Sequence, residues 1–510
     1  MSTSARTAAL VAGALTWAAP ALAERPLSAI DWLSDSVAAT GPRKPPPTIT
    51  PVPGAEPITV VPLGTTLLDA VGLLPPQVSG LPRTFWGPGE TQAIARAVRA
   101  ERVDTLPAVQ ALLVKLLLAE LDPPTGGGPD GQLLLARLDK LLDLGALDQA
   151  QALVERAGPT APSLFRRWFD ISLLTGQEDR ACSAMRANPG IAPTFPARIF
   201  CLARGGDWNA AALTLETGLA LGFVKPEEDA LLARFLDPAL AEESEALRLP
   251  TRPSPLIFRM REAIGEPLST TTLPVAFARA DMRPTAGWKA RIEAAERLAR
   301  TGALAPNELL GVWTERKPAA SGGLWDRVAA LQAFDLAILS GEPEAVTETL
   351  APAWKAMASA ELEVPFAQLY GPQLVRMNLP GATGALAFRI GLLSDEYEAL
   401  AQGREPQTNE EAFLIGIARG GDLQGVPPLG SLAAALRDGF DRPGLGTGPS
   451  RLIKEGRLGE AVLAAIDLLT DGAQGDILDV TRGLGLLRRL GLEDAARKSA
   501  LQLMLLERRG

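Results

Sequence analysis

Histidine is absent from all 510 residues of this chain, and tyrosine occurs only twice, at Tyr370 and Tyr397. Without imidazole there is no Ser-His-Asp triad, no Cys-His dyad and no histidine-ligated zinc. Lysine is scarce at nine residues, and Lys+Arg 50 against Asp+Glu 59 leaves a formal net charge of -9. That balance argues against nucleic-acid or anionic-membrane partners, which require a basic face. Ser-x-x-Lys, P-loop and calcium-loop patterns are missing too. Gly444 to Gly448 looks only superficially like a dinucleotide turn, because no strand precedes it. Past residue 23 no stretch reaches the about 18 uncharged apolar residues that a spanning helix needs. The nearest, Leu112 to Leu121, is interrupted by Lys115 and Glu120.

What is present describes a globular chain, with 47% hydrophobic and 21% charged residues. Residues 1–23 read as a secretory signal peptide. Arg6 supplies the positive start, Thr7 to Ala19 the apolar stretch, and Ala21-Leu22-Ala23 a small-x-small cleavage site. Cleavage after Ala23 would send the protein to a bacterial periplasm. In that oxidising compartment the two cysteines, Cys182 and Cys201, read as a disulfide. A Cys-x-x-Cys redox spacing is not what they have.

From residue 24 to 62 the composition shifts. Eight prolines fall between residues 42 and 62, which favours extended polyproline II with a reach of roughly 60 Å. Ahead of this disordered arm, Ser28 precedes a short amphipathic helix in which Ile30, Leu33 and Val37 recur at spacings of three and four. With Trp32 these residues form a candidate interaction segment, docking either on a partner or on the protein's own body.

Beyond residue 63 the pattern is helical. Glu90 to Arg102, Leu106 to Leu121 and Gln132 to Leu144 carry apolar residues at helical spacing, separated by proline or glycine. Only Ile58 to Val61 has a strand-like look. One short signature recurs: an apolar helix end, a glycine, and an alanine five residues later. It stands at Gly145–Ala150, Gly176–Ala181, Gly206–Ala211, Gly456–Ala461 and Gly491–Ala496, with looser copies at Gly302, Gly341 and Gly421. A glycine past a helix end takes the left-handed conformation that closes the helix. The next helix then starts within about three residues and must fold back, and the alanine lets the two backbones approach. Units of this size cannot bury both faces alone, so neighbours must stack.

Gly206-Asp207-Trp208 with Ala211 resembles the turn of the tetratricopeptide repeat, and the other copies resemble it with leucine near the aromatic position. The resemblance extends over residues 131 to 510. It implies an all-α fold, an α-solenoid of antiparallel helix pairs in a right-handed superhelix, and protein–protein scaffolding rather than catalysis.

The expected organisation is a signal peptide (1–23), the proline-rich arm (24–62), and helical-repeat regions 63–248 and 249–510. The two repeat regions divide near Leu249 to Pro255, and a long loop is expected over Gly439 to Pro449. Phe85-Trp86-Gly87-Pro88 is expected to cap the open N-terminal end of the array, and most of the other body tryptophans to plug its core. A peptidoglycan-active reading would rest on Glu243-Ser244, the sole Glu-Ser pair, although its neighbours form a charge run suited to a solvated helix face. The expectation is therefore a non-enzymatic periplasmic scaffold for an envelope protein partner, with no catalytic residue, cofactor or metal; the alternative is a peptidoglycan-active or peptidoglycan-binding protein.

Overall fold

The recurring glycine does what its spacing demands. Gly145, Gly176, Gly206, Gly456 and Gly491 all have φ between 75° and 83° or close to it at 74°, the left-handed region. The residue after each glycine donates its N–H to the carbonyl five positions earlier: Ala146 to Leu141, Gln177 to Ser172, Asp207 to Leu202, Arg457 to Leu452 and Leu492 to Leu487, all at 2.8–3.0 Å. These bonds satisfy carbonyls that the helix end leaves free. The alanine five residues on is fully buried in every case, at Ala150, Ala181, Ala211, Ala461 and Ala496.

The computed structural model describes residues 67–506, except 129, 238, 241–244, 421, 422, 424, 428, 442 and 443. Among the described residues there are 25 α-helices and no strand. Two isolated bridges, Leu74 with Ala119 and Glu90 with Thr125, are the β-type pairings found there. The helices anticipated from the pattern form at Thr91–Ala100, Pro107–Leu118 and Gln132–Asp143. Consecutive helices pack on one another along most of the chain. Gly302 and Gly341 also carry left-handed turns. Gly421 lies outside the described residues, and the left-handed residue that closes Asn409–Arg419 is Gly420.

The first described helices pack against the last. Pro107–Leu118 meets both Leu458–Ala473 and Glu493–Leu505. At this seam Phe85 O accepts from Gly459 N at 2.9 Å. Arg102 Nη2 pairs with Asp471 Oδ1 at 2.6 Å, the Thr105 and Thr470 hydroxyls bond at 2.7 Å, and Gln502 Oε1 accepts from Ala108 N at 2.8 Å. Trp86 therefore faces no open end. It is 2% exposed, and its ring occupies the space where a Cβ on Gly459 would stand.

One buried guanidinium secures this region. Arg137 Nε donates to Leu117 O at 2.6 Å, and its terminal nitrogens to Val71 O at 2.7 Å and Ala119 O at 3.0 Å. It thereby serves carbonyls at the end of Pro107–Leu118 that lack helical partners.

One further expectation changes. Gly439 is helical, within Ser431–Asp441, and a further helix starts at Thr447, so no long loop spans Gly439 to Pro449. The glycine is there because the Thr481 backbone and Leu484 side chain pass within 3.2 Å of where its Cβ would be. Of the body tryptophans, Trp168 and Trp313 are core plugs, but Trp208 is 51% exposed. It opens the Trp208–Ala220 helix, one turn ahead of the buried Ala211.

Candidate functional site

The Cys182–Cys201 disulfide is present, with Cα atoms 4.9 Å apart. It ties Glu178–Ala187 to Phe195–Arg204, and the start of the second helix walls a cleft of about 820 Å³. That volume falls within the range of about 300–1,000 Å³ usual for ligand sites. Pro162–Thr175 contributes Arg166, Phe169 and Asp170 to the floor. Pro226–Leu236 and Pro255–Ala263 contribute Leu231, Ile257 and Met260, and residues 247–252 cross the rim.

Three helices begin at this cleft, at Thr194, Lys225 and Ser254. Thr194 Oγ1 accepts from Ala197 N and Ser254 Oγ from Ile257 N, ordinary N-caps. Glu228 carboxylate accepts from Lys225 N at 3.0 Å, as expected for acidic residues in a first turn. Beneath the floor runs a ladder of rings. Phe169 meets Phe200 at 6.5 Å between centroids, and Phe200 stacks on Phe235 at 5.4 Å. The ladder fixes three of the walls to one another.

The rim segment is held by ion pairs. Glu266 takes Arg234 at 3.0 Å and Arg261 at 3.2 Å, and also accepts from Leu247 N. Arg234 reaches Glu245 O at 2.7 Å, and Arg261 bonds Arg248 O. Residues 245–248 therefore form a fixed wall.

Asp170 gives the floor its polarity. Burial pushes its carboxyl up to about 7, while the positive charges of Arg166 and Arg167 pull it down. Arg166 Nε forms an ion pair with it at 4.0 Å. Arg166, Lys225, Arg248, Arg252 and Arg261 line the cleft against Asp170, Glu227 and Glu228. Lys225 and Arg248 have side chains without an ionic partner among the described residues.

A second cleft, about 980 Å³, opens at the seam between Asp104, Lys355, Arg389 and Gln474. Its charges are mixed in sign, and Arg389 is already paired with Glu410 at 2.7 Å.

Of the sequence candidates, only the cysteines are brought together. Ile30, Trp32, Leu33, Val37, Glu243 and Ser244 lie outside the described residues, as do the strand-like Ile58 to Val61 and the signal peptide. Among the described residues no Cys, Asp and Glu side chains gather in threes as a metal-holding group, and no helix is long and apolar enough to cross a membrane. Sequence reasoning missed Arg166, Asp170, Lys225 and Arg248. The available signal was the set of polar-then-proline helix starts at residues 194–196, 225–226 and 254–255; the last of these was read as a boundary.

No family model, no curated protein and no solved structure matches this chain.

Proposed function

We propose that this protein is a non-enzymatic helical-repeat scaffold or adaptor, exported to the cell envelope, that holds a protein partner. An envelope-spanning motility or secretion machine is one setting for such a part. In this reading the helix pairs stack as tetratricopeptide-like units, and the proline-rich arm after Ala23 gives a second contact that adds avidity. The observation that carries it is the cleft beside the disulfide, whose walls are fixed by aromatic packing and ion pairs. A preformed, rigid cleft binds without the cost of ordering its walls.

The test is affinity capture from envelope extract, comparing residues 24–510 with a version lacking residues 24–62. The reading expects one defined protein partner, retained more weakly by the shorter version. Recovery of peptidoglycan fragments alone, or of nothing, would overturn it, and a muramidase assay would then be the next measurement.

A further inference from the structure

The repeat signature accounts for the inner side of the Trp208–Ala220 helix and leaves its outer side unexplained. We infer that this outer side is an interface with a second copy of the chain, the two helices packing antiparallel across a two-fold axis. The inference is independent of the cleft and its partner.

Composition is the first ground. Glu216 is the single charged residue among the 13 of this helix, so its outer side lacks the charges that a solvent-facing helix surface carries. Pro107–Leu118 also has one charge, Lys115, and it is covered: it packs on Gln132–Asp143, Leu458–Ala473 and Glu493–Leu505, and most of its residues are buried. Trp208–Ala220 packs on Phe195–Arg204 and Pro226–Leu236, and buries only Ala211, Leu215 and Gly218.

Area is the second ground. Leu213 is 65% exposed and Leu219 39%. Past the helix end, exposed Leu221 and Phe223 continue the surface, with Phe223 stacked on Phe195 at 4.7 Å between centroids. With Trp208 these side chains present roughly 500 Å² of largely apolar surface, towards the upper end of the about 300–600 Å² usual for the largest such patch on a monomer. A homodimer interface of standard size buries about 800 Å² per partner, about 65% of it apolar. One such patch on each copy therefore supplies the apolar part of a stable pair.

Spacing is the third ground, and it selects a second copy over other occupants. Trp208, Ala212, Leu215 and Leu219 recur at i, i+4, i+7 and i+11, one stripe along the helix. Read antiparallel, Trp208 falls opposite the second copy's Leu219, and Ala212 opposite its Leu215. A two-fold contact requires a surface complementary to itself. Ala212, small and exposed, lets the two backbones approach near the axis. Each copy carries a net charge of -9, but a patch with one charge keeps that repulsion out of the contact. Pairing would also bring two clefts to one partner, and so add avidity.

Sedimentation velocity of residues 24–510 at about 10 μM should give the mass of two chains, since interfaces of standard size bind in the micromolar range or tighter. Ala212→Glu and Ala212→Lys each set like charges together near the axis and should weaken the dimer at least ~100-fold. Their circular dichroism should match the parent, because the position is exposed. An equimolar mixture of the two variants should recover the dimer, because opposite charges then meet. Trp208→Ala should weaken pairing and leave the fold of each chain intact. Leu336→Glu, at another exposed apolar position, should leave the dimer unchanged. A monomeric parent, a dimer indifferent to the Ala212 variants, a mixture that stays monomeric, or a dimer broken by Leu336→Glu overturns the assignment. A parent that pairs only once residues 24–62 are deleted makes the arm the occupant. A monomeric parent that co-sediments with phosphatidylcholine vesicles makes it a lipid surface. Either result overturns the second-copy assignment too.

Discussion

Trp86 and Gly459 stand 373 positions apart in the chain and touch in the fold, so a substitution pair there tests whether the two ends meet. Gly459→Ala places a methyl group inside the Trp86 ring, an overpacking that costs about 1–3 kcal/mol. It also strains the Gly459 N to Phe85 O bond, 2.9 Å long. Trp86→Ala removes a nearly fully buried side chain, at a cost of about 3–5 kcal/mol. In the Trp86→Ala background the added methyl meets open space, and alanine is favoured over glycine in a helix by up to ~1 kcal/mol. The effect of Gly459→Ala should therefore change sign between the two backgrounds. Contacting residues are where such non-additivity is found. Native-state hydrogen exchange reads this locally, because each amide reports its own opening free energy. In the parent, Gly459→Ala should speed exchange along Leu458–Ala473 by roughly 5–150-fold, the equivalent of about 1–3 kcal/mol. In the Trp86→Ala background it should slow exchange slightly. Additive effects, or a Gly459→Ala variant indistinguishable from the parent, would refute the packing of these ends.

Three further outcomes follow from named groups. The Glu101 carboxyl is pushed up to about 9 by burial and by Asp467, against the pull of Lys140 and Arg102, so the stability it confers when protonated drains away as pH rises from its ordinary value near 4.5 to about 9. Glu101→Gln should accordingly gain stability over the parent progressively across that window in urea unfolding; a difference independent of pH sinks the assignment. Arg137→Met leaves the Val71, Leu117 and Ala119 carbonyls buried without their donor, at about 1–3 kcal/mol each, so its urea midpoint should fall by far more than the change that an exposed substitution such as Trp208→Ala produces. Reducing Cys182–Cys201 should lower the thermal midpoint through loss of about 3 kcal/mol for a loop of this size, and the Cys182→Ser/Cys201→Ser variant should give no response to reductant.

The sequence by itself determined the local grammar of this protein. Glycine after a helix end, with alanine five residues on, encoded each turn because only glycine takes the left-handed residue without strain and only a small side chain fits the crossing. Gly206 and Ala211 are legible in that way from one stretch of chain. The cysteine pair was legible too, since only two cysteines exist to be joined. What tertiary structure decided depends on groups far apart in sequence. Nothing near Trp86 announces Gly459, and nothing near Asp170 announces Lys225 or Arg248. Trp208 shows the limit from the other side: its place in the repeat signature suits a core aromatic, yet its neighbours in space leave it half exposed. Local conformation is set by energies within a few residues, whereas burial, charge environment and the cleft arise only when distant helices remove one another from water.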